Sequence, residues 1–310
     1  MKIIFMGTPE FGAHILKKIH EQHDVVLVVT QPDKKVGRKQ VLTPSPVKQL
    51  AQELEIPIFQ PDKIAKDEEP ILNTPCDLIV TAAYGQFIAS RVLNHPRFRS
   101  INVHGSLLPK YRGGAPIQRA LMNGEKETGV TIIYMEKKMD SGAILAQEAI
   151  PILPEDNAKT LFHKLALLGS SMILSVIDAL EAGTTIPIPQ TEEEVTFAYN
   201  LTKEDEVIAF EESATCLCNR MRGLCSEPGA YFTLDGIVYK VYGGVTSSNP
   251  SNALPGTIIE VTKDTFTIAC GKGSALTFSE IKPEGRPLMT VNAFLNGKGK
   301  NIIVKNRRIQ

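Results

Sequence analysis

Two polar side chains, Asn102 and His104, stand two residues apart in the 310-residue chain. Because side chains alternate between the two faces of a β-strand, residues two apart project from the same face. Gly105 follows directly and ends the predicted strand. An amide can donate hydrogen bonds, and an imidazole can gain or lose a proton near neutral pH. The pair therefore predicts a site, although a lone histidine at a strand end is more often a hydrogen-bonded structural residue.

A carboxylate, Asp140, lies in the sequence Met-Asp-Ser-Gly between two further predicted strands. We expect its loop to open at the same edge of the sheet as the strand that carries His104. Ligands of open α/β sheets bind in the crevice outside the carboxyl ends of the strands. An aspartate before Ser-Gly is also typical of a simple turn, so both interpretations stay open for this residue alone.

A loop with two glycines, at positions 7–12, joins the first predicted strand to the first predicted helix. Such a loop could bind an anion through its backbone N–H groups. Its spacing differs from both the dinucleotide fingerprint and the P-loop, which disfavours a dehydrogenase. We interpret it as a tight turn with Pro9 at the first helical position.

Basic side chains cluster in two places. Four cations lie within the six residues 34–39, and five lie within the last fifteen residues, which contain no acid. Clustered arginines and lysines bind phosphates and reach base edges. Solvated loops are the alternative interpretation in both cases.

The pattern of apolar residues predicts a domain in which strands alternate with helices. β-branched and apolar runs predict strands at 2–6, 25–30, 77–82, 100–103, 130–135 and 144–150. Helical spacing of apolar residues predicts helices at 9–20, 46–54 and 159–180. Alternation of this kind is typical of a doubly wound, mostly parallel α/β sheet covered by helices on both faces.

The chain changes character after its first 189 residues. Prolines at 187 and 189 and a run of three glutamates indicate a linker, which we place at 190–206. A helix at 214–225 and short strands near 230–234, 237–242, 256–261, 264–269 and 275–279 then predict a small β-barrel at 207–310. Turns at 235–236 and 249–250 separate some of these strands.

Charge is distributed unevenly over these three segments. Residues 1–189 carry 21 basic and 20 acidic side chains, residues 190–206 carry 1 and 6, and residues 207–310 carry 12 and 8. The last segment is therefore net basic, which suggests a polyanionic partner.

The overall composition is that of an ordinary globular protein, with 43% apolar and 22% charged residues. No apolar run reaches the roughly 20 residues of a membrane span, and the N-terminus lacks the features of a signal peptide. Five scattered cysteines lack the pattern of a disulfide framework or of a zinc site. We therefore expect a cytoplasmic protein with no metal and no membrane contact, acting as a monomer.

The segments 102–109 and 111–120 together resemble the signature of the methionyl-tRNA formyltransferases. Further matching segments lie at 4–11, 30–33, 37–39, 42–48, 83–85 and 127–132, and a weaker one at 255–258. The Asn-x-His and Ser-Leu-Leu-Pro elements are shared by folate-dependent formyltransferases generally. The Thr-Gln-Pro-Asp loop and the Gly-Gly-Ala-Pro-Ile-Gln segment favour the tRNA enzyme within that group.

The resemblance implies a formyltransferase Rossmann-like domain followed by an OB-like barrel that binds tRNA. It implies transfer of a formyl group from 10-formyltetrahydrofolate to the α-amino group of methionine on initiator tRNA. The implied catalytic residues are Asn102, His104 and Asp140. We expect folate contacts from Ser106, Leu107, Leu108, Pro109, Tyr84, Gly85 and Phe87. We expect tRNA contacts from Lys34, Lys35, Arg38, Lys39, Arg307 and Arg308.

The three implied catalytic residues suit this reaction. Negative charge develops on the formyl oxygen when the amine attacks, and both Asn102 and His104 can donate hydrogen bonds to it. His104 can also accept or supply a proton near neutral pH, and Asp140 can orient it or hold a water. Two alternatives stay open, namely another folate-dependent formyltransferase acting on a sugar amine or a glycinamide ribonucleotide, and a non-catalytic RNA-binding module.

Overall fold

The computed structural model describes residues 1–37, 39–225, 228–248 and 251–309. The chain forms two compact units. The first comprises Met1–Pro116, Glu127–Pro151 and Leu161–Asn200, and the second comprises Ile117–Lys126, Ile152–Thr160 and Leu201–Gln310.

The first unit is built on a seven-stranded sheet. Its strands, numbered together with a separate hairpin β3–β4, are β1 Lys2–Gly7, β2 Asp24–Val29, β3 Lys34–Val36, β4 Val41–Thr43, β5 Ile58–Phe59, β6 Leu78–Ala82, β7 Ser100–His104, β8 Glu127–Tyr134 and β9 Ile144–Pro151. The order across the sheet is β5-β2-β1-β6-β7-β8-β9. The first five of these are parallel, and β8 pairs antiparallel with both of its neighbours, β7 and β9. The predicted mostly parallel, doubly wound sheet is therefore confirmed.

Helices cover both faces of this sheet, so its central strands are apolar and fully buried. The helices of the chain up to residue 182 are α1 Glu10–His20, α2 Pro46–Glu53, α3 Glu69–Leu72, α4 Ser90–Leu93, α5 Pro116–Met122 and α6 Ala158–Ala182. Helix α6 is long and apolar enough to cross a membrane by length and composition alone, and half of its apolar window is buried inside the protein.

The turn between β1 and α1 brings the helix into close contact with the sheet. Pro9 is the N-cap residue of α1, so the helix begins one residue later than predicted. A Cβ atom added to Gly12 would lie 2.9 Å from the carbonyl oxygen of Ala82, at the end of β6. The glycine therefore allows α1 to pack closely on the sheet, which supports the interpretation of this loop as a structural turn.

The strand order reverses its direction between β1 and β6, because β2 lies on one side of β1 and β6 on the other. This is the position at which doubly wound sheets bind their ligands, outside the carboxyl ends of the strands. The loops after Gly7 and Ala82 meet there, since the hydroxyl of Thr8 donates to the carbonyl oxygen of Tyr84 over 3.2 Å. Strand β7, next to β6, ends at His104 on the same edge.

The second unit contains two four-stranded antiparallel sheets. Its elements are α7 Ala214–Gly223, β10 Ala230–Leu234, β11 Ile237–Tyr242, β12 Val245–Thr246, β13 Ile258–Val261, β14 Phe266–Ala269, β15 Ala275–Phe278, β16 Glu280–Pro283, β17 Met289–Thr290 and α8 Val291–Leu295. The sheet orders are β10-β11-β16-β17 and β12-β15-β14-β13. All five predicted strands are present, and three short ones were missed. The predicted turn at 249–250 lies outside the described residues.

An ion pair within the second unit joins α5 to the segment before α7. Arg119 contacts Asp205 through two hydrogen bonds of 2.6 and 2.7 Å, and both side chains are mostly buried. The hydrogen bond from Arg119 lowers the pKa of Asp205. Because a depressed carboxyl pKa stabilises the folded state above the unfolded value, this contribution should be present at neutral pH and lost as the pH falls below about 4.

We expect the Asp205→Asn variant to lose about 2 kcal/mol of unfolding free energy at pH 7, because it removes the negative charge that pairs with the guanidinium of Arg119. Urea unfolding of wild type and variant at pH 7 and near pH 3 measures the difference, which should shrink at the lower pH. Glu260→Gln, an exposed position on β13, is the matched control. An equal deficit at both pH values would contradict an ionic origin.

Candidate active site

His104, at the end of β7, is held by contacts to both of its ring nitrogens. The ring is 6% exposed. Its Nε2 lies 3.0 Å from the carbonyl oxygen of Tyr111, and its Nδ1 lies 3.7 Å from Oδ2 of Asp140. A carbonyl oxygen only accepts, so Nε2 carries the proton in the neutral ring and Nδ1 is the basic nitrogen. A proton that arrives at Nδ1 would be stabilised by the adjacent carboxylate.

Asp140 is fixed through both its backbone and its side chain. Its φ of +48° places it in the left-handed region, which aspartate tolerates better than most residues. The N–H of Gly113 donates to its Oδ2 over 2.9 Å, and the amide of Gln190 donates to its carbonyl oxygen over 2.8 Å. Gly142 allows the tight loop, since a Cβ there would lie 1.8 Å from the carbonyl oxygen of Tyr134. The carboxylate is thus held in a fixed position facing His104.

Asn102 lies on the same face of β7 as His104 and is partly exposed. Its neighbour on β6 is Thr81, which is buried. The hydroxyl of Thr81 donates to Oδ1 of Asn102 over 2.7 Å, so the amide is oriented by its oxygen. The amide NH2 is therefore the group that Asn102 can offer to a ligand at the strand end.

A buried arginine, Arg112, supports the loop that carries Asp140. Its side chain is completely buried and donates to the side chains of Gln190 and Glu192. Hydrogen bonds from Lys138 and Arg112 lower the pKa of Glu192 and keep it ionised. Gln190 accepts from Arg112 and donates to the carbonyl oxygens of Asp140 and Gly142. Gln190 and Glu192, both within the predicted linker, thus hold the site together.

We expect the Gln190→Glu variant to lower kcat about 10-fold while leaving both KM values nearly unchanged. A carboxylate still accepts from Arg112, but it cannot donate to the two carbonyl oxygens of the Asp140 loop. Steady-state kinetics at varied concentrations of each substrate separates kcat from KM. Gln52→Glu, at an exposed position on α2, is the control. An unchanged kcat in the Gln190→Glu variant would show that the Asp140 loop holds its position without Gln190.

The loop after β7 is held in place by two residues of the antiparallel strands. Thr131, fully buried on β8, donates to the carbonyl oxygen of Ser106 over 2.6 Å and accepts from the N–H of Leu108 over 3.1 Å. Gln147 on β9 donates to Thr131 and to the carbonyl oxygen of Leu108. The segment that follows His104 is therefore rigid at the sheet edge.

The seven residues predicted to contact folate differ in accessibility. Ser106, Leu108 and Tyr84 are buried, Leu107 and Pro109 are half-buried, and Gly85 and Phe87 are exposed. The Tyr84 ring packs in the hydrophobic core of the first unit, and its burial raises the pKa of its hydroxyl to about 12. Its carbonyl oxygen accepts from Gln31 over 3.0 Å. Phe87, in contrast, is 63% exposed, so its ring is accessible to a ligand whereas that of Tyr84 is not.

The basic hairpin β3–β4 projects its lysines into solvent. Lys34, Lys35 and Lys39 are exposed, whereas Arg38 lies outside the described residues. The base of the hairpin is anchored by Asp33, which accepts from Lys48 and from Gln60 at 2.7 to 2.9 Å. These hydrogen bonds lower the pKa of Asp33. The hairpin is therefore anchored at Asp33, while Lys34, Lys35 and Lys39 are exposed to solvent.

The two arginines predicted near the C-terminus differ in their contacts. Arg307 forms an ion pair with Asp235, with an Nη2–Oδ1 distance of 2.6 Å, and also donates to the carbonyl oxygen of Ile302. Arg308 is exposed and donates through Nε to the carbonyl oxygen of Pro255. The guanidinium of Arg307 is thus engaged within the second unit, and Arg308 is the more accessible of the two.

Both halves of the chain match known protein families. The sequence profile described as formyl transferase matches residues 1–177, and that of the formyl transferase C-terminal domain matches residues 200–299. A methionyl-tRNA formyltransferase of Enterococcus faecalis is 46% identical, and the match covers 99% of each chain. One from Listeria monocytogenes is 44% identical over 97% of each chain.

A solved structure shares the fold at low sequence identity. An N-formyltransferase of Helicobacter canadensis, in complex with folinic acid and dTDP-3-aminofucose, superposes with a TM-score of 0.69. It is 18% identical, and the match covers 90% of this chain and 98% of the other. The similarity shows the fold.

Proposed function

The chain belongs to the methionyl-tRNA formyltransferase family, and from this premise we propose that Asn102, His104 and Asp140 carry out its catalytic step. The enzyme formylates the methionyl group of initiator tRNA for translation initiation. Formyl-tetrahydrofolate is the formyl donor of this family, and we propose the 10-formyl form. The observation that carries the catalytic assignment is the His104 ring, tied at Nε2 and facing Asp140 at Nδ1.

The reaction forms one bond and breaks another at the formyl carbon. The amine nitrogen of methionine attacks that carbon, negative charge develops on the formyl oxygen, and the bond to N10 of the folate then breaks. A hydrogen-bond donor aimed at the developing oxyanion can contribute roughly 3–4 kcal/mol. The amide NH2 of Asn102 is suited to this role because Thr81 engages the amide oxygen.

A proton must leave the amine, and another must reach N10 of the departing folate. We assign the first transfer to Nδ1 of His104, because Nε2 donates to the carbonyl oxygen of Tyr111. Asp140 would stabilise the resulting imidazolium from 3.7 Å. The same proton can then pass to the leaving nitrogen, directly or through a water, so protons balance over one turnover. These three residues provide for the whole transfer without a covalent enzyme intermediate.

We place the folate in the crevice at the carboxyl ends of β1, β6 and β7. The predicted contacts there are Ser106, Leu107, Leu108, Pro109, Tyr84, Gly85 and Phe87. Among these residues, Phe87 and Leu107 offer apolar side chains that a ligand can reach. Tyr84 would contribute only backbone groups, because its ring lies in the core. A flat heterocycle fits an apolar slot with a few backbone donors and acceptors.

We divide the work between residues 1–189, which carry out catalysis, and residues 207–310, which add phosphate contacts. The intervening segment 190–206 is more than a spacer, since Gln190 and Glu192 hold the Asp140 loop. We expect the enzyme to act as a monomer in the cytoplasm, where translation is initiated.

We propose that the β3–β4 hairpin binds tRNA phosphates, with Lys34, Lys35 and Lys39 exposed at its surface. The Lys34→Ala/Lys35→Ala/Lys39→Ala variant should bind initiator tRNA more weakly, and its slope of log affinity against log salt should fall by about 3. Filter binding at several salt concentrations measures both. The control removes three exposed lysines of the first unit outside this hairpin, Lys2, Lys66 and Lys137. An unaltered slope would exclude the hairpin from phosphate contact.

Incubation with 10-formyltetrahydrofolate and methionyl initiator tRNA, followed by mass analysis of the aminoacyl product, tests the activity itself. We expect the mass of one added formyl group on methionine. A second reaction with a 3-amino sugar nucleotide as acceptor should leave that amine unmodified. Formylation of the sugar amine with no change in the methionyl-tRNA would overturn the assignment.

A further inference from the structure

Two aromatic side chains of the first unit, Phe197 and Tyr199, stack on each other at the surface. Their ring centroids are 5.5 Å apart, and the ring planes differ by 5°. Phe197 is 47% exposed and Tyr199 is 65% exposed. Because residues two apart in an extended segment share a face, both rings stand on one side of the segment. We name this pair the aromatic step.

The aromatic step is attached directly to the loop that orients the catalytic residues. The N–H of Ala198, between the two rings, donates to the carbonyl oxygen of Arg112 over 2.7 Å. The N–H of Ala115 donates to the carbonyl oxygen of Ala198 over 3.0 Å, and Phe197 forms a parallel bridge with Arg112. Segments joined by such bridges lie about 4.8 Å apart. The two rings are therefore held next to the loop at 111–115.

The same loop fixes His104 and Asp140. Tyr111 accepts from the ring of His104, and Gly113 donates to the carboxylate of Asp140. Tyr111 is also held from the side of the aromatic step, since its N–H donates to the hydroxyl of Thr196 over 2.9 Å. The segment that carries the rings and the two catalytic residues are thus bonded to the same short loop, which keeps their spacing constant.

We propose that the aromatic step stacks against the terminal nucleobase at the 3′ end of the aminoacylated tRNA. This inference rests on the proposed function, because the reacting amine is joined through an ester to the ribose of that nucleotide. The base must therefore lie within one nucleotide of the catalytic residues. Every base has a flat π-face, and such faces stack on exposed aromatic side chains. The chain contains no tryptophan, so phenylalanine and tyrosine are the aromatic residues available for this contact.

The geometry favours a nucleobase over an aliphatic occupant such as the methionine side chain. A methionine side chain is best bound in an enclosed apolar pocket, whereas the step presents rings at an exposed surface. A ring pair already stacked in parallel extends naturally by one more flat ring. The step also loses little conformational freedom on binding, because the backbone on both sides of Ala198 is hydrogen-bonded to the loop at 111–115.

The test uses initiator tRNA in which 2-aminopurine replaces the terminal adenine, a base whose fluorescence falls when it stacks. Binding to the full-length wild-type enzyme should quench this fluorescence. The Phe197→Leu/Tyr199→Leu variant keeps apolar volume without π-faces, so we expect it to lose the quenching. Its kcat/KM for methionyl-tRNA should fall roughly 10-fold or more, while its KM for 10-formyltetrahydrofolate stays unchanged.

The exchange variant Phe197→Tyr/Tyr199→Phe keeps both rings and should restore quenching and kcat/KM. Equal quenching and equal kcat/KM in the leucine variant would overturn the inference. A fall in kcat/KM with quenching retained would also overturn it, because the rings would then act on something other than the base. If the wild-type enzyme binds the tRNA and quenches but forms no formylmethionyl product, the proposed function fails and the stacking stands.

Discussion

Replacing His104 with alanine is expected to lower kcat by at least two orders of magnitude while leaving the affinity for initiator tRNA nearly intact. The variant lacks the basic nitrogen Nδ1 that faces Asp140, so the proton of the attacking amine has no acceptor at that position. The ring is buried at the end of β7 and is not one of the exposed cations proposed to bind phosphate, so its loss should not alter phosphate contacts. Single-turnover formylation and filter binding measure the two quantities.

A second variant separates proton transfer from structure. His104→Gln retains an amide that can donate to the carbonyl oxygen of Tyr111, but it does not titrate, so its rate should also fall at least 100-fold. His163→Ala, at an exposed position on α6, serves as the control and should match the wild type. A rate within a few-fold of the wild type for either His104 variant would remove this residue from the mechanism.

Changing Asn102 to alanine should lower kcat by roughly 10²- to 10³-fold, the usual loss when one oxyanion donor is removed. The amide NH2 is the expected donor because Thr81 holds the amide oxygen at 2.7 Å. KM for either substrate should change much less than kcat, since the charge exists only during the reaction. Steady-state kinetics measures this split.

Thr81→Val tests whether the orientation of the amide matters. This nearly isosteric change removes only the hydroxyl that anchors the Asn102 oxygen, so we expect a loss of about 10-fold or less, all of it in kcat. Asn94→Ala, exposed after α4, is the matched control for the loss of an amide. If Asn102→Ala lowered kcat less than Thr81→Val, the donor would have to be another group.

The alternation of side chains along one strand could be predicted from the sequence and is confirmed. Asn102 and His104 lie on one face of β7, and the strand ends where Gly105 follows. The position of the strand at the ligand edge also followed from the alternating βα pattern, because such patterns produce a mostly parallel sheet. These features depend on local sequence and on a general rule of topology, which is why sequence analysis could reach them.

The supports of the Asp140 loop could not be predicted from the sequence. Gln190 and Glu192 lie in a proline- and glutamate-rich stretch whose composition is typical of a linker, yet they bond to Arg112 and to the Asp140 loop. These contacts span 48 to 80 residues along the chain. Thr81 could have been found by aligning the ends of β6 and β7, since cross-strand neighbours share a face.

Charge clusters in the sequence were poor guides to individual contacts. Arg307 belongs to the most basic stretch of the chain, but the structure pairs it with Asp235, 72 residues away. Tyr84 follows a strand at the predicted folate edge, but its ring packs inward among core residues. Ion pairing and the direction of a side chain after a turn depend on tertiary partners that one sequence does not reveal. The tRNA and folate contacts of individual residues therefore stay predictions.

The central claim is that His104 and Asp140 act as one proton-handling unit, and a double-mutant cycle on the single-turnover rate tests it most directly. Asp140→Asn alone should slow formyl transfer substantially, because the imidazolium of His104 loses its partner. The double variant His104→Ala/Asp140→Asn should be no more than about 3-fold slower than His104→Ala, since residues that act as a unit are far from additive. Losses that multiply, or single variants that keep the wild-type rate, would contradict the account.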